Sequence, residues 1–451
     1  MRVTAALSPH PWQDCVSKNI STAPLFATSP SLRKLRTINK LNRRRRMDNW
    51  FKENIDYQTI IAVVLLLGMS ALSVYSATYD AGVSVVFYRQ LMWIGIGLLA
   101  MMIVMFIPFR TIQQWSYPMY GVSLLMLASV LVLGRTIAGS TSWFGVKGFG
   151  LQPSELVKAT TILALAAFLS KGNVYLFRLK HIMMAAGFVI VPVGLILLQP
   201  DMGTAIIYMG MFLLLMYWAG LSNLFILGVL APGAAAIAAL FGTTAYLIVT
   251  AATFIILIAI RQNMLGSAIV FSLTALVGVS VQFMFARLAP YQQNRILTFI
   301  NNEADPLGAG YNAIQAKIAI GSGGLLGKGY LQGSQTQLNF IPAQWTDFIF
   351  CVPSEEFGFV GAFFVLALLA FLLLRGIKIA SSVKNRYGSI VVIGIVAVFA
   401  VHTAINIGMC MGVVPVIGVP LPMMSYGGSN MLTNLMMVGL MLNMYANRKE
   451  Y

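Results

Sequence analysis

Long apolar runs separated by short polar breaks follow one another along most of the chain from residue 58 onward. As helices, twelve of these runs can cross about 30 Å of hydrocarbon, and they lie at 58–77, 88–107, 117–134, 155–170, 182–199, 203–220, 223–241, 244–261, 265–286, 357–374, 388–412 and 430–446. The pattern predicts an all-α polytopic membrane protein with about twelve transmembrane helices. Helix ends are least sharply marked in 223–286, which is broken only by Gly233, Gly242 and the polar sequence 261–263.

Composition favours one integral membrane domain over several soluble ones. Of the 451 residues, 58% are hydrophobic and 10% are charged. This balance overrules the about two or three soluble domains that length alone would suggest. We therefore assign residues 47–451 to a single membrane domain.

The distribution of Lys and Arg predicts the orientation, because these residues are retained in short cytoplasmic loops. If the N-terminus is cytoplasmic, most basic loop residues fall inside, at 110, 171–180, 261, 375–386 and 448–449. The segments 135–154, 287–356 and 413–429 then lie outside. We expect both termini in the cytoplasm and the long loop, 287–356, on the extracytoplasmic side.

The N-terminal tail, residues 1–46, holds ten Lys and Arg against one acidic residue, Asp14. Much of the formal net charge of +17 therefore belongs to one tail, and a nucleic-acid partner is not needed to explain it. The tail is rich in Ser, Thr and Pro, and we expect it to be disordered and cytoplasmic. Two alternatives are open: the native chain starts at Met47, or the four arginines before it anchor the tail to anionic lipid, at about 1 kcal/mol each.

Cysteine and histidine give no sign of a metal centre or a disulfide framework. All six are too scattered for ligand or disulfide spacing: Cys15, Cys351, Cys410, His10, His181 and His402. Inside a predicted helix, His402 is better interpreted as a hydrogen-bonded core residue than as a ligand. The glycine-rich sequence 321–329 lacks the Ser or Thr that follows Lys in a nucleotide-binding loop.

Two polar clusters precede apolar runs at the predicted outer surface. Before the run at 155–170, Ser154 can cap a helix, and Glu155 can pair with Lys158 one turn later. An unpaired charge is costly at that depth, so the pair is either structural or in contact with a ligand. Before the run at 203–220, Asp201 is interpreted as a helix cap, with a catalytic role as the alternative.

The long loop offers the best candidates for chemistry, because it is a large polar excursion in an apolar chain. Arg295 suits a phosphate, since its planar guanidinium offers paired donors, and a place at the lipid headgroups is the alternative. Asp347 stands between Trp345 and Phe348, and a carboxylate beside apolar rings can act as a general base near neutral pH. A solvated or capping aspartate is the alternative. The sequence 418–429 is non-helical chain at the outer membrane edge, which is tolerated where it lines a wet cavity.

Five ordered motifs closely resemble the SEDS family of shape, elongation, division and sporulation proteins. They are Gln152–Glu155, Gln199–Thr204, Asp305–Tyr311, Gln337–Phe350 and Pro420–Ser429. The resemblance covers essentially all of 47–451 and is closer to the elongation branch than to the division branch.

The resemblance implies a peptidoglycan glycosyltransferase that polymerises lipid II into glycan strands on the outer face of the bacterial cytoplasmic membrane, for cell elongation and cell shape. Asp347 would deprotonate or orient the attacking sugar hydroxyl, and undecaprenyl pyrophosphate would leave with inversion. Candidates to stabilise the leaving group are Arg295, Lys158 and a divalent cation, Mg²⁺ or Mn²⁺. The other substrate-site residues that it implies are Glu155, Trp143, Glu355, Glu356 and Ser425.

The resemblance also implies partners: a class B penicillin-binding protein, other proteins of the elongation machinery, and membrane lipid. The sequence contains no transpeptidase motif in a suitable context, so crosslinking would come from the penicillin-binding protein. Two functions of other classes are alternatives. One is a flippase for lipid-linked precursors, which needs polar groups along a path through the bilayer. The other is a non-catalytic scaffold.

The chain departs from the usual family plan in two respects. Relatives commonly have ten spans, with two helices between the Asp201 motif and the long loop, whereas 203–286 is long enough for four. An inserted pair keeps the long loop outside. In addition, Ser142 replaces a frequent Arg, which removes one phosphate contact, and Trp345 replaces a frequent His.

Overall fold

The computed structural model describes residues 54–79, 82, 84–137, 140–146, 149–260, 263–288, 311–338 and 340–449. The predicted tail, 1–46, and the candidate Arg295 lie outside the described residues. The domain boundary at residue 47 therefore stays a prediction.

Each of the twelve predicted apolar runs coincides with one long helix. In chain order the described helices are α1 (Tyr57–Tyr79), α2 (Ser84–Phe106), α3 (Phe109–Leu133), α4 (Pro153–Leu169), α5 (Leu179–Leu197), α6 (Met202–Trp218), α7 (Asn223–Leu240), α8 (Thr243–Ile260), α9 (Met264–Arg287), the short α10 (Tyr311–Ser322), α11 (Ser334–Gln337) and α12 (Cys351–Glu356), then α13 (Gly358–Ser382), α14 (Arg386–Cys410) and α15 (Gly428–Ala446). By length and composition, 9 of the helices in the described chain can cross a membrane. The all-α polytopic class is confirmed, and about twelve crossings stays a prediction.

Three other long helices, α4, α6 and α15, are too short or too polar to be counted as membrane-crossing by length and composition. Both α4 and α6 have only 17 residues, and α15 carries three buried asparagines. In α4, every residue except Leu156 and Phe168 is buried. This helix faces protein rather than lipid, and it can therefore carry Glu155 and Lys158.

Small residues set the helix spacing at the centre of the bundle. Gly394 of α14 lies against Ile162 of α4, and Gly439 of α15 lies against the backbone of α2 at Met101. A Cβ atom at either glycine would clash with its neighbour. Helices in lipid gain stability from such close contact, because no hydrophobic force drives them together there.

Four helices, α6 to α9, stand between Asp201 and the long loop, as the length of 203–286 predicts. Three of them, α7 to α9, share a small core of their own around Ala235, Ala239 and Tyr246, which is separate from the main core. Tyr246 Oη also donates to the carbonyl of Ala275 at 3.1 Å. These helices therefore form a peripheral unit.

The helical prediction missed a small antiparallel sheet. Its strands are β1 (Arg135–Ile137), β2 (Ser140–Val146) and β3 (Phe149–Leu151), in the order β1-β2-β3. Trp143 of β2 pairs with Arg135, and Gly145 pairs with Gly150. Strands of 3 and 7 residues are too short for an alternating pattern to stand out beside long apolar runs.

Candidate functional site

A cavity of about 250 Å³ lies where the starts of α4, α6 and α15 meet the segments 346–347 and 418–427. Polar groups line much of it: Gln152, Glu155, Asp201, Thr204, Thr346, Asp347, His402, Tyr426 and Asn430. Trp93 and Trp143 add aromatic walls. Three carboxylates that are far apart in sequence therefore face one space.

The backbone at Asp347 is fixed by α14. Asn406 Nδ2 donates to the Asp347 carbonyl at 2.7 Å and to the Val419 carbonyl at 2.8 Å. Gly418 (φ +71°) lies beside the carboxylate, since a Cβ atom there would be 3.5 Å from Asp347 Oδ2. The positive φ favours glycine, which also leaves room around the carboxylate.

Burial raises the pKa of Asp347 to about 6, and a hydrogen bond with the Thr346 side chain lowers it only in part. Such a carboxyl is mostly ionised at neutral pH but is more basic than an ordinary aspartate. It is suited to accept a proton from a hydroxyl group in the cavity.

Ser425 joins the segment that carries Asp347 to the segment 418–429 from inside the protein. Its hydroxyl donates to the Thr346 carbonyl at 2.6 Å and accepts from the Leu421 amide at 2.7 Å. The side chain is buried and lies outside the cavity lining. The geometry favours a positioning role for Ser425, and its predicted contact with substrate stays a prediction.

Glu155, Lys158 and His402 form a buried chain of polar contacts. Lys158 Nζ lies 2.8 Å from Glu155 Oε1 and 3.0 Å from His402 Nε2. His402 Nδ1 lies 3.0 Å from the Pro420 carbonyl. A carbonyl oxygen can only accept, so we assign the ring proton to Nδ1, and Nε2 accepts from the Lys158 ammonium. The predicted ion pair is confirmed, as is the buried, hydrogen-bonded state of His402.

Asp201 caps α6, as predicted. Its Oδ1 accepts from the Thr204 amide at 3.0 Å, and its Oδ2 accepts from the Thr204 hydroxyl at 2.8 Å. Gln152 Nε2 adds a third hydrogen bond to Oδ2 at 3.2 Å. The cap therefore also faces the cavity and joins α6 to the start of α4.

The expectation that Ser154 caps α4 is wrong. The helix begins at Pro153, with Gln152 at the N-cap position and no side-chain cap. Proline suits the first helical position because its fixed φ matches the helix and its missing N–H would have no partner there. Ser154 consequently lies inside the first turn, where it is buried.

Two glycines make room for the aromatic walls. Trp143 lies against Gly150, where a Cβ atom would approach Trp143 Cε3 to 2.9 Å. Trp93 of α2 lies even closer to Gly428 at the start of α15. The two indoles offer flat apolar faces beside a polar floor. Trp143 thus has the position expected of a substrate-site residue, and its role stays a prediction.

Glu355 lies outside the cavity lining, within the folded part of the long loop. Its carboxylate accepts from Lys328 Nζ at 2.8 Å and from the amides of Gln335 at 2.9 Å and Thr336 at 3.0 Å. Burial opposes its ionisation, but these hydrogen bonds and the Lys328 charge leave the pKa of Glu355 lowered. Glu355 holds the loop around α11 together.

Glu356 is also directed into the protein. Its Oε1 accepts from Ser76 of α1, from the Leu331 amide at 3.2 Å and from Gln337 Nε2 at 3.3 Å. Burial raises the pKa of Glu356, and these hydrogen bonds offset the effect only in part. The predicted substrate contacts of Glu355 and Glu356 stay predictions, while their geometry supports a role in positioning.

The C-terminal half of α1 supports both segments that shape the cavity. Ser70 Oγ donates to the Met424 carbonyl at 2.7 Å. Gln344 Nε2, three residues before Asp347, donates to the Ala77 carbonyl at 2.8 Å. One helix is therefore attached to the segment 418–429 and to the segment that carries Asp347.

The described side chains around the cavity do not make a metal site. Among the residues that the structure describes, no three His, Cys, Asp or Glu side chains converge to hold a metal ion. Asp201 uses both carboxylate oxygens within the protein. The alternative of Mg²⁺ or Mn²⁺ at the leaving group thus finds no ligand set in this part of the chain.

Asn406 and the position of His402 at the cavity are functional features that the sequence motifs do not indicate. The two residues are four positions apart, so they share one face of α14. Two polar side chains at this spacing in an otherwise apolar helix were the signal available in the sequence. Arg295 lies outside the described residues.

The chain matches a family of known proteins over nearly all of the described length. The family FTSW_RODA_SPOVE, described as cell cycle proteins, matches residues 55–246 and 227–450. The two matches overlap within the tract where we predict the inserted helices.

Individual relatives are similar over most of their length. The chain is 33% identical over 402 residues to the peptidoglycan glycosyltransferase MrdB of Escherichia coli K12, covering 89% of this chain and 96% of the relative. It is 32% identical over 431 residues to the peptidoglycan glycosyltransferase RodA of Treponema pallidum, covering 88% and 98%. It is 35% identical over 402 residues to the stage V sporulation protein E of Bacillus subtilis, covering 87% and 97%.

Solved structures share the fold. A chain of a peptidoglycan synthase complex, solved to explain the structural coordination of polymerization and crosslinking, matches with a TM-score of 0.68 at 28% identity, over 88% of this chain and 99% of that one. The rod shape determining protein RodA of Thermus thermophilus matches with a TM-score of 0.59 at 25% identity, over 88% and 98%.

Proposed function

This chain belongs to the cell cycle protein family of FtsW, RodA and SpoVE, and we propose that it is a peptidoglycan glycosyltransferase that polymerises lipid II for cell elongation. The observation that carries the proposal is a polar cavity with aromatic walls, in which the carboxyl of Asp347 has a pKa raised to about 6. Relatives that are 33% and 32% identical bear the name peptidoglycan glycosyltransferase.

In the proposed reaction, Asp347 accepts the proton of the attacking sugar hydroxyl. The hydroxyl oxygen forms a bond to the anomeric carbon of the second substrate, while the bond from that carbon to the pyrophosphate oxygen breaks, with inversion. Undecaprenyl pyrophosphate leaves with the bonding electron pair, and Asp347 then gives its proton to water. A positioned base of this kind contributes roughly 10²- to 10⁴-fold to the rate.

Negative charge grows on the leaving pyrophosphate, so the site needs positive charge near it. We assign this role to Arg295 and Lys158. Lys158 contacts Glu155 Oε1 and is buried behind it, so it contributes by offsetting the negative charge of that carboxylate, which would otherwise repel the pyrophosphate. Trp143 offers a flat face for a sugar ring.

The proposed partner is a class B penicillin-binding protein that crosslinks the new strand. A peptidoglycan synthase complex is among the structures that this chain resembles, which supports a partner of this kind. The chain is a multi-pass membrane protein, and we place it in the bacterial cytoplasmic membrane with both termini in the cytoplasm and the cavity outside. Other proteins of the elongation machinery would join the same assembly.

Polymerisation of labelled lipid II tests the proposal, with the purified chain alone and with its transpeptidase. Wild type should give glycan ladders and Asp347→Asn none, with helical content and partner binding retained. Lys378→Gln changes an exposed residue of α13 and is the matched control, with ladders like wild type.

Two results would overturn the proposal. Full-strength ladders from Asp347→Asn would remove this carboxylate from the reaction. No ladders from folded wild type bound to its transpeptidase would favour a flippase or a scaffold, which movement of labelled lipid II across vesicle membranes would distinguish.

A further inference from the structure

His402 is a buried side chain that lines the cavity and has no part in the proposed reaction. We propose that His402 is a positioning residue, which holds Lys158 against one oxygen of Glu155 so that the other oxygen, Oε2, meets a donor group of the bound sugar. The donor would be a hydroxyl or an acetamido N–H. This inference rests on the proposed function and names the part of the substrate that Glu155 recognises.

The contacts of Lys158 leave it little freedom. Its side chain is 0% exposed, and its ammonium has two partners, Glu155 Oε1 at 2.8 Å and His402 Nε2 at 3.0 Å. Away from water, a charged group needs every acceptor that it can reach. Without the His402 acceptor, the ammonium would turn toward the second carboxylate oxygen of Glu155, Oε2.

Glu155 Oε2 is the oxygen that this arrangement leaves free. It is buried and has no hydrogen-bond partner among the residues that the structure describes, and Glu155 lines the cavity. A buried carboxylate oxygen is seldom left unpaired, so its position calls for a donor from the cavity side. The Lys158 charge already balances the carboxylate, so a neutral O–H or N–H is the fitting donor.

The second ring nitrogen ties this arrangement to the catalytic base. His402 Nδ1 donates to the Pro420 carbonyl at 3.0 Å. Pro420 is two residues after Gly418, which lies beside the Asp347 carboxylate. The His402 imidazole therefore links α4, which carries Glu155, to the segment that borders Asp347. This link fixes how far the recognised sugar group lies from the reacting hydroxyl.

Two variants separate the two contacts of the imidazole. His402→Asn keeps an amide near Nδ1 for Pro420 but removes the acceptor for Lys158, whereas His402→Gln places an amide oxygen near Nε2. We expect kcat/KM for lipid II to fall roughly 10- to 100-fold in His402→Asn, because small displacements of positioning groups cost this much. His402→Gln should recover most of the loss. In a Lys158→Met background, His402→Asn should have no further effect.

Binding of lipid II to the Asp347→Asn protein gives a readout without turnover. Adding His402→Asn should weaken binding, and adding His402→Gln should weaken it less, with both variants folded and bound to the transpeptidase. An unchanged Kd in His402→Asn, or equal losses in the Asn and Gln variants, would overturn the inference. If wild type makes ladders and His402→Asn matches it, the positioning role fails while the proposed function stands. If wild type makes none, the proposed function fails, and the binding result alone decides the role of His402.

Discussion

The side-chain amide of Asn406 lies 2.7 Å from the backbone carbonyl of Asp347 and donates to it. The same amide nitrogen donates to the Val419 carbonyl at 2.8 Å, and the Asn406 side chain is buried. One residue of α14 therefore sets the spacing between the two segments that border the cavity.

Replacement of Asn406 by Ala should weaken both the fold and the reaction. Two carbonyls would lose their donor, and an unpaired buried polar group costs about 1–3 kcal/mol. We expect a lower unfolding midpoint and slower lipid II polymerisation. Asn447→Ala is the control, because the hydrogen bonds of Asn447 Nδ2 within the described part of the chain go to Asn443, one turn earlier at the end of α15. An Asn406→Ala protein with the midpoint and rate of wild type would show that the spacing is set elsewhere.

The rate of polymerisation should depend on the ionisation of Asp347. Its pKa of about 6 means that the base is lost as pH falls through that value. We expect kcat/KM to rise with pH, with its acid limb centred near 6, since kcat/KM reports the groups of the free enzyme. Measured initial rates at constant ionic strength would check this, and an acid limb centred near 4 would mean that Asp347 is not desolvated as described.

Asp347→Asn should be more stable than wild type at neutral pH. The pKa of Asp347 is raised by folding, so the folded state binds the proton more tightly than the unfolded state. The cost of the buried charge is therefore present above about pH 6 and disappears as pH falls toward the ordinary aspartate pKa of about 4. Thermal unfolding of both proteins between these limits should show a gap that closes in acid. A constant gap would assign the stability change to packing.

Removal of Glu355 should harm the long loop more than removal of its cation. In Glu355→Ala, the buried amide of Thr336 loses its acceptor together with that of Gln335, whereas Lys328→Met leaves both hydrogen bonds in place. Lys328 is partly exposed and the carboxylate keeps its two amide donors, so the loss of the ion pair should cost less than the loss of the carboxylate. Limited proteolysis of 323–338, alongside thermal unfolding, would rank the two variants. Equal sensitivity would mean that the ion pair, and not the amides, holds the loop.

The sequence predicts the helices well because crossing a bilayer demands a long apolar run. The limits of α14 follow from this demand, whereas α13 continues past its predicted end at 374 and carries Arg375 and Lys378 there. Local interactions could also be predicted from the sequence. The pair of Glu155 and Lys158 and the helix cap at Asp201 each depend only on residues that are neighbours in the sequence.

Contacts between distant segments were not accessible in this way. The partners of His402 are Lys158, 244 residues away, and Pro420, in a segment without regular structure. Glu355 was assigned to substrate from the family resemblance, but the structure surrounds it with backbone amides of the same loop. Only the fold shows whether a carboxylate faces a cavity or its own chain.

The attachments of α1 impose a mechanical constraint on the enzyme. Ser70 is hydrogen-bonded to the Met424 carbonyl, and the carbonyl of Ala77 is hydrogen-bonded to Gln344, three residues before Asp347. Neither segment can move far without straining its hydrogen bond to α1. Widening of the cavity to admit or release a growing strand must therefore either break these hydrogen bonds or move both walls and the C-terminal end of α1 together.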